Sequence, residues 1–237
     1  MNKLFVKICG ITRPQDADLA GSLGASALGF VFWPGSPRAV SPGAAAGIAR
    51  GIEPGVMKVG VFVDQPAEEV TRIMDEVGLD VAQLHGHESP EYCRKLMAGL
   101  KVRRNPDRAG ARAIETATTD ASTPAVFAFR PTIFKSIGIG GNGSINIDSY
   151  DRDVVPLVDA FDPVRFGGTG KTVNWDAARE IAAARQTILA GGLNAANIKL
   201  AVRSVRPYGV DVSSGVESAP GVKDPNRLRS FFEALHD

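Results

Sequence analysis

Short runs of Val, Ile, Leu and Phe recur through the chain, and most are followed by a residue-proline pair opening a stretch with helical spacing. The runs fall at Leu4–Gly10, Ala27–Trp33, Val56–Val63, Val81–Gly86, Thr132–Gly140, Val154–Phe161, Gln186–Leu193 and Tyr208–Val216. Each ends in glycine or polar residues, as strands do. The pairs Arg13-Pro14, Ser41-Pro42, Gln65-Pro66, Ser89-Pro90 and Asp224-Pro225 mark helix starts. Proline suits that place because the N–H it lacks would go unpaired there in any case. Stretches such as AEEVTRIMDEVG and WDAAREIAAAR carry apolar residues three and four apart, giving one face to pack on a sheet. Strand, loop and helix repeated eight times predict parallel strands with crossover helices. Within 237 residues they predict a single (β/α)8 barrel, spanning residues 1–237 as one domain. An open doubly wound sheet is the other solution, but Gly-x-Gly-x-x-Gly is missing after the first strand.

The repeat is uneven in two places. A long connection, residues 101–131, separates the fourth helix from the fifth strand, and reads as an inserted loop, with an added strand around Ala125–Phe129 as a lesser reading. From Lys101 to Lys135 there are seven basic residues against three acidic ones. Between strands five and six only GNGSINIDSYDRD is available, so the fifth helix is predicted to be short or missing.

Composition narrows the function. A formal net charge of +1 provides no field to hold nucleic acid or an anionic membrane, so an anionic ligand requires a local site. No apolar run approaches the roughly 20 residues that span a bilayer, and MNKLFVKICG lacks the apolar core of a signal peptide. A cytoplasmic protein is expected. The two cysteines lack the spacing of a metal site or a disulfide framework.

In a barrel of this kind, chemistry sits at the C-terminal strand ends. Period-two alternation places Lys7 and Cys9 on one face of the first strand, with Cys9 nearer the mouth. A thiol beside an ammonium can become a thiolate, while a lone cysteine is as often a packing residue. Cys93, inside PEYCRKL, reads as core. Gln83 and His85 share a face at the end of strand four, and Asp159 ends strand six, where a buried carboxylate is costly unless paired or used. FGGTGKT has the look of a nucleotide-phosphate loop, but Arg165 stands where that loop needs its first glycine. The anion-binding signal lies instead after strands seven and eight, at Gly191-Gly192 and Ser213-Ser214-Gly215, where barrels often hold phosphate. A phosphorylated small molecule is therefore the expected ligand.

Taken together, VKICGITRPQDA, GFVFWPGSPRAVSP, KVGVFV, VAQLHG, GGTGKTVNW, LAGGLNAANI and YGVDVSSGVESAPGVKD resemble the phosphoribosylanthranilate isomerases of tryptophan biosynthesis. The motifs run in order through nearly the whole chain; residues from about Lys101 to Asp153 match poorly. The resemblance implies an Amadori rearrangement of N-(5-phosphoribosyl)anthranilate to 1-(2-carboxyphenylamino)-1-deoxyribulose 5-phosphate, with no cofactor or metal. It gives Cys9 as general base and Asp159 as general acid. Arg38 pairs with the anthranilate carboxylate, Asp211 meets the sugar hydroxyls, and the GGTGK stretch forms a loop closing over the substrate. With Lys7, Gln83 and His85, Arg38 and Asp211 complete the expected substrate-contacting set, in a monomer or homodimer. Two alternatives stay open: another phosphate-binding barrel isomerase or lyase, and a non-catalytic sugar-phosphate-binding regulator.

Overall fold

A computed structural model of the chain describes residues 4–103, 133–139, 147–160 and 174–236. The eight predicted strands are all present: β1 (Phe5–Cys9), β2 (Ala27–Val31), β3 (Met57–Phe62), β4 (Val81–Leu84), β5 (Ile133–Ile139), β6 (Val154–Ala160), β7 (Ile188–Leu189) and β8 (Gly209–Val212). Neighbours pair in parallel, and β1 pairs with β8, closing the ring. Among the described residues, α1 (Pro14–Ser22), α2 (Pro42–Ala49), α3 (Ala67–Val77), α4 (Pro90–Arg103), α5 (Trp175–Ala184) and α6 (Ile198–Val205) lie between strands, and α7 (Pro225–His236) comes after β8. No described helix is long and apolar enough to cross a membrane.

The proline signals hold, with one shift. Pro14, Pro42, Pro90 and Pro225 open their helices, whereas Pro66 is the N-cap of α3 and the helix begins one residue later. Ser41 Oγ accepts from the Ala44 N–H and Asp224 Oδ1 from those of Asn226 and Arg227, so both cap orphan donors. Between β5 and β6 a 3-10 turn, Ile147–Ser149, stands where a short or missing helix was predicted. Helix α4 runs through Arg103, three residues into the expected inserted loop; residues 104–131, including the added strand around Ala125–Phe129, lie outside the described residues.

The predicted strand eight is too long. Chain pairing ends at Val212, Ser214–Val216 form a 3-10 turn, and an unpredicted hairpin follows, β9 (Glu217–Ala219) and β10 (Val222–Lys223). Its Pro220-Gly221 corner, with Gly221 at φ 80°, fits a type II turn, which needs positive φ at its second central residue.

Alternation divides the strand residues into two cores. Those facing outward, such as Ile8, Leu28, Phe30, Phe62 and Leu84, pack under the helices. Those facing inward change character along the barrel axis. The floor is apolar and aromatic, with Phe5 edge-on to Phe134 at 6.1 Å and stacked on Tyr208 at 5.7 Å. Both faces being buried, the strands read as continuous apolar runs. Above the floor lie buried Lys7, Gln83, Ser136 and Asp211, and at the mouth Cys9 and Asp159. Among the described strand residues, the inward-facing polar side chains gather toward one end.

Candidate active site

Lys7 and Asp211 face one another across β1 and β8, in direct register, and Lys7 Nζ donates to Asp211 Oδ1 at 2.8 Å. Lys7 is fully buried, so loss of either partner would strand a charge, at about 3–5 kcal/mol. Burial alone would lower the Lys7 pKa; the Asp211 carboxylate and the Cys9 sulfur outweigh it and hold Lys7 above its usual value. Cys9 lies one pleat higher. A Cβ on Gly29 would stand 3.0 Å from Cys9 Sγ and 3.1 Å from Lys7 Nζ, so the glycine of β2 leaves the space in which thiol and ammonium sit side by side.

The Cys9 pKa differs from the expectation of a thiolate prepared by Lys7. Burial pushes the thiol up, Lys7 and then Lys223 pull it down, and Asp211 pushes against them; the outcome lies above the ordinary thiol value. The ammonium of Lys7 is already balanced by Asp211, which is why its proximity does not suffice.

The β4 and β6 ends form a second group. Gln83 is 1% exposed and its Nε2 lies 2.9 Å from His85 Nδ1. Donation from the amide leaves the imidazole proton on Nε2, which lies 3.7 Å from Asp159 Oδ2. Burial and the charges of Lys135 and Lys7 drive the His85 pKa to about 3, so the ring is neutral. Asp159 itself is 9% exposed. Gly138 is its register partner on β5.

Arg38, in the loop after β2, reaches over Gly10, where a Cβ would lie 2.5 Å from Arg38 Cδ. Its guanidinium engages both oxygens of Glu217, with Nη2 2.7 Å from Oε2. Glu217 in turn accepts from Lys223 Nζ at 2.8 Å. Sequence reasoning missed both residues. Their signal is an acid and a lysine flanking a Pro-Gly corner, which a hairpin brings together. Trp33, also missed, lies half-buried against Cys9, Val31 and Val61. A second missed pair, Lys135 and Glu88, stands outside the barrel. Glu88 accepts from Lys135 Nζ at 3.1 Å and from the Asp64 and Gly86 N–H groups, tying together the loops after β3 and β4.

The predicted phosphate residues converge. Gly191 and Gly192 have φ 85° and 62°, conformations that side chains resist. The Gly192 carbonyl is held by the Asn194 and Asn197 amides. A Cβ on Gly215 would lie 1.8 Å from Leu193 O, so the loop of Ser213, Ser214 and Gly215 packs backbone against backbone on the loop after β7. The start of α6 lies just beyond, and backbone donors there favour an anion. Of the predicted site, Cys9, Lys7, Asp211, Arg38, Gln83, His85 and Asp159 therefore share one barrel end with both glycine turns. Lys7 and Gln83 occupy its lower level. The GGTGK stretch lies outside the described residues.

The family model for N-(5'-phosphoribosyl)anthranilate isomerase matches residues 6–123 and 135–234. The chain belongs to the phosphoribosylanthranilate isomerase family. It is 42% identical over 227 residues to the N-(5'-phosphoribosyl)anthranilate isomerase of Pelobacter propionicus, covering 96% of this chain and 93% of that one. The Geobacter sulfurreducens isomerase is 43% identical, with 96% of each covered. Among solved structures, the phosphoribosylanthranilate isomerase of Thermus thermophilus superposes with TM-score 0.77 at 38% identity, over 98% of both chains. Another of the family, solved in complex with reduced 1-(o-carboxyphenylamino)-1-deoxyribulose 5-phosphate, gives 0.73 at 31% identity over 99% of both chains.

Proposed function

We propose that the barrel mouth converts N-(5'-phosphoribosyl)anthranilate into 1-(2-carboxyphenylamino)-1-deoxyribulose 5-phosphate, the isomerisation of tryptophan biosynthesis, with Asp159 as acid and Cys9 as base. The carrying observation is that the two groups end β1 and β6 on the same face, above a closed floor and beside a pair of glycine turns suited to phosphate. Phosphate on the loops after β7 and β8 places the sugar over the mouth. The Arg38 guanidinium takes the ring carboxylate and Trp33 gives the aromatic ring an apolar wall.

Asp159, carrying a proton, delivers it to the furanose oxygen as the C1–O bond breaks, and the nitrogen lone pair forms the C1=N bond of an iminium. The C2 hydrogen is then acidic. Cys9 as thiolate removes it, and the electrons of the C2–H bond move into C1=C2 as the C=N pair returns to nitrogen. The resulting enolamine tautomerises to the ketone. Protons given and taken balance, so the reaction is an isomerisation. Lys7 and Asp211 hold the charge beside the sulfur, with Asp211 also reaching the sugar hydroxyls, while Gln83 fixes His85 beside Asp159. The protein is read as a cytoplasmic monomer or homodimer.

The test is the decay of substrate fluorescence when purified protein is added to phosphoribosylanthranilate formed in situ, with the product identified by mass and by its ketone. Enzyme-dependent decay with that product is expected. Decay at the rate of uncatalysed hydrolysis would end the isomerase reading.

A further inference from the structure

Arg38 is not a free loop arginine. Its stem lies against Gly10, and its Nε is 2.9 Å from Glu217 Oε1 and 3.2 Å from Oε2, with Nη2 2.7 Å from Oε2. One lateral edge of the guanidinium is thus fully occupied, and the terminal edge, carrying Nη1, is left to present to a ligand. Glu217 is itself enclosed, its side chain 4% exposed, and Oε1 also accepts from Lys223 Nζ at 2.8 Å and from the Gly221 N–H at 3.3 Å. Lys223 has its three protons placed, on Glu217 Oε1, on Cys9 O at 2.5 Å and on Ser213 O at 3.3 Å. It is buried and has no donor left for substrate. Two cations and one anion leave a single positive charge, directed outward through Arg38.

We propose that Glu217, held from beneath by Lys223, is a positioning residue that fixes the Arg38 guanidinium for the aromatic carboxylate of the substrate and so sets the preference for carboxylated arylamines. The inference rests on the reading in which Arg38 meets that carboxylate. An arginine on an exposed loop loses rotamer freedom when it binds; one already pinned at stem and head has lost it before the ligand arrives. The hairpin β9–β10 is therefore the part of the fold that carries specificity, although none of its side chains need touch the substrate.

The test compares two stable ligands by calorimetry, reduced 1-(o-carboxyphenylamino)-1-deoxyribulose 5-phosphate and its phenylamino counterpart without the carboxylate. The variant is the pair Glu217→Gln with Lys223→Met, which keeps the side chains near their native size and the single net positive charge while weakening the hold on Arg38. Wild type should bind the carboxylated ligand more tightly. In the double variant that preference should fall about tenfold, a hydrogen-bond-sized change. Equal weakening of both ligands would mean a merely structural role, and an unchanged preference would mean that Arg38 needs no pin; either overturns the proposal. Absence of any preference in wild type overturns it through the Arg38 assignment, with turnover intact. Wild type without turnover overturns the isomerase reading itself. If the double variant does not fold, Glu217→Asp, one methylene short of Arg38 but still charged, is held to the same two outcomes.

Discussion

The two sides of the barrel mouth surround their titratable groups in opposite ways. Around Cys9, at the β1–β2–β8 side, charges stand in buried pairs, Lys7 with Asp211 at 2.8 Å and Glu217 between Arg38 and Lys223. Around Asp159, at the β4–β6 side, the neighbouring imidazole is kept neutral, with its pKa near 3, by burial and by cations on other strands. A base that must ionise needs compensating charge within reach, and a balanced network offers it without committing the thiol to ionise beforehand. An acid that must keep a proton gains from a dry neighbour carrying no charge to stabilise the carboxylate. Burial pushes the Cys9 pKa up, and the pull of Lys7 is opposed by Asp211.

The contrast can be broken at either side. The largest effect is expected from Cys9→Ser and Asp159→Asn, each lowering kcat by about 10²–10⁴-fold, the range of general acid–base catalysis, with melting temperature and product binding nearly retained. Steady-state kinetics beside a thermal melt checks this. Next comes Gly29→Ala, whose methyl group would stand 3.0 Å from Cys9 Sγ and 3.1 Å from Lys7 Nζ. A displacement of the order of 1 Å at the thiol can cost about 10²-fold in turnover, and kcat should fall far more than KM rises. A Gly29→Ala enzyme with wild-type kcat would show that the sulfur has room to spare. The smallest effect belongs to Gln83→Leu on the other side, which removes the donor to His85 Nδ1 and frees the tautomer. Losing that one hydrogen bond, worth about 1–1.5 kcal/mol, should lower kcat by about tenfold and leave binding of a product analogue alone. Weakened binding with unchanged kcat would instead make the Gln83–His85 pair part of substrate contact.

Much of this contrast was legible beforehand. All eight strands announce themselves as apolar runs because both of their faces are buried, and period two then puts Lys7 with Cys9 and Gln83 with His85. The glycine turns were visible because the positive φ at 191 and 192 favours glycine. The partners were not legible. Arg38 and Glu217 are 179 residues apart and Lys7 and Asp211 are 204 apart, and nothing local records which distant charge will close a ring. Strands of three and two residues, as in β9 and β10, are too short to show a period, so the support beneath Arg38 was hidden although PGVK was in plain view. Lys135 was hidden for another reason: on an alternating strand it points away from the barrel, a place where a buried lysine is not expected until Glu88 is seen beside it.

The division of labour between the two sides is tested most directly by the primary isotope effect with substrate deuterated at C2, prepared in situ from anthranilate and 2-deuterated ribose 5-phosphate. If Cys9 removes the C2 hydrogen, its loss makes that step limiting, and Cys9→Ser should show a large isotope effect on kcat. If Asp159 opens the ring, its loss makes the earlier step limiting, and Asp159→Asn should show an effect near unity. The reverse pattern, or the same effect in both variants, would contradict the assignment of base and acid to Cys9 and Asp159.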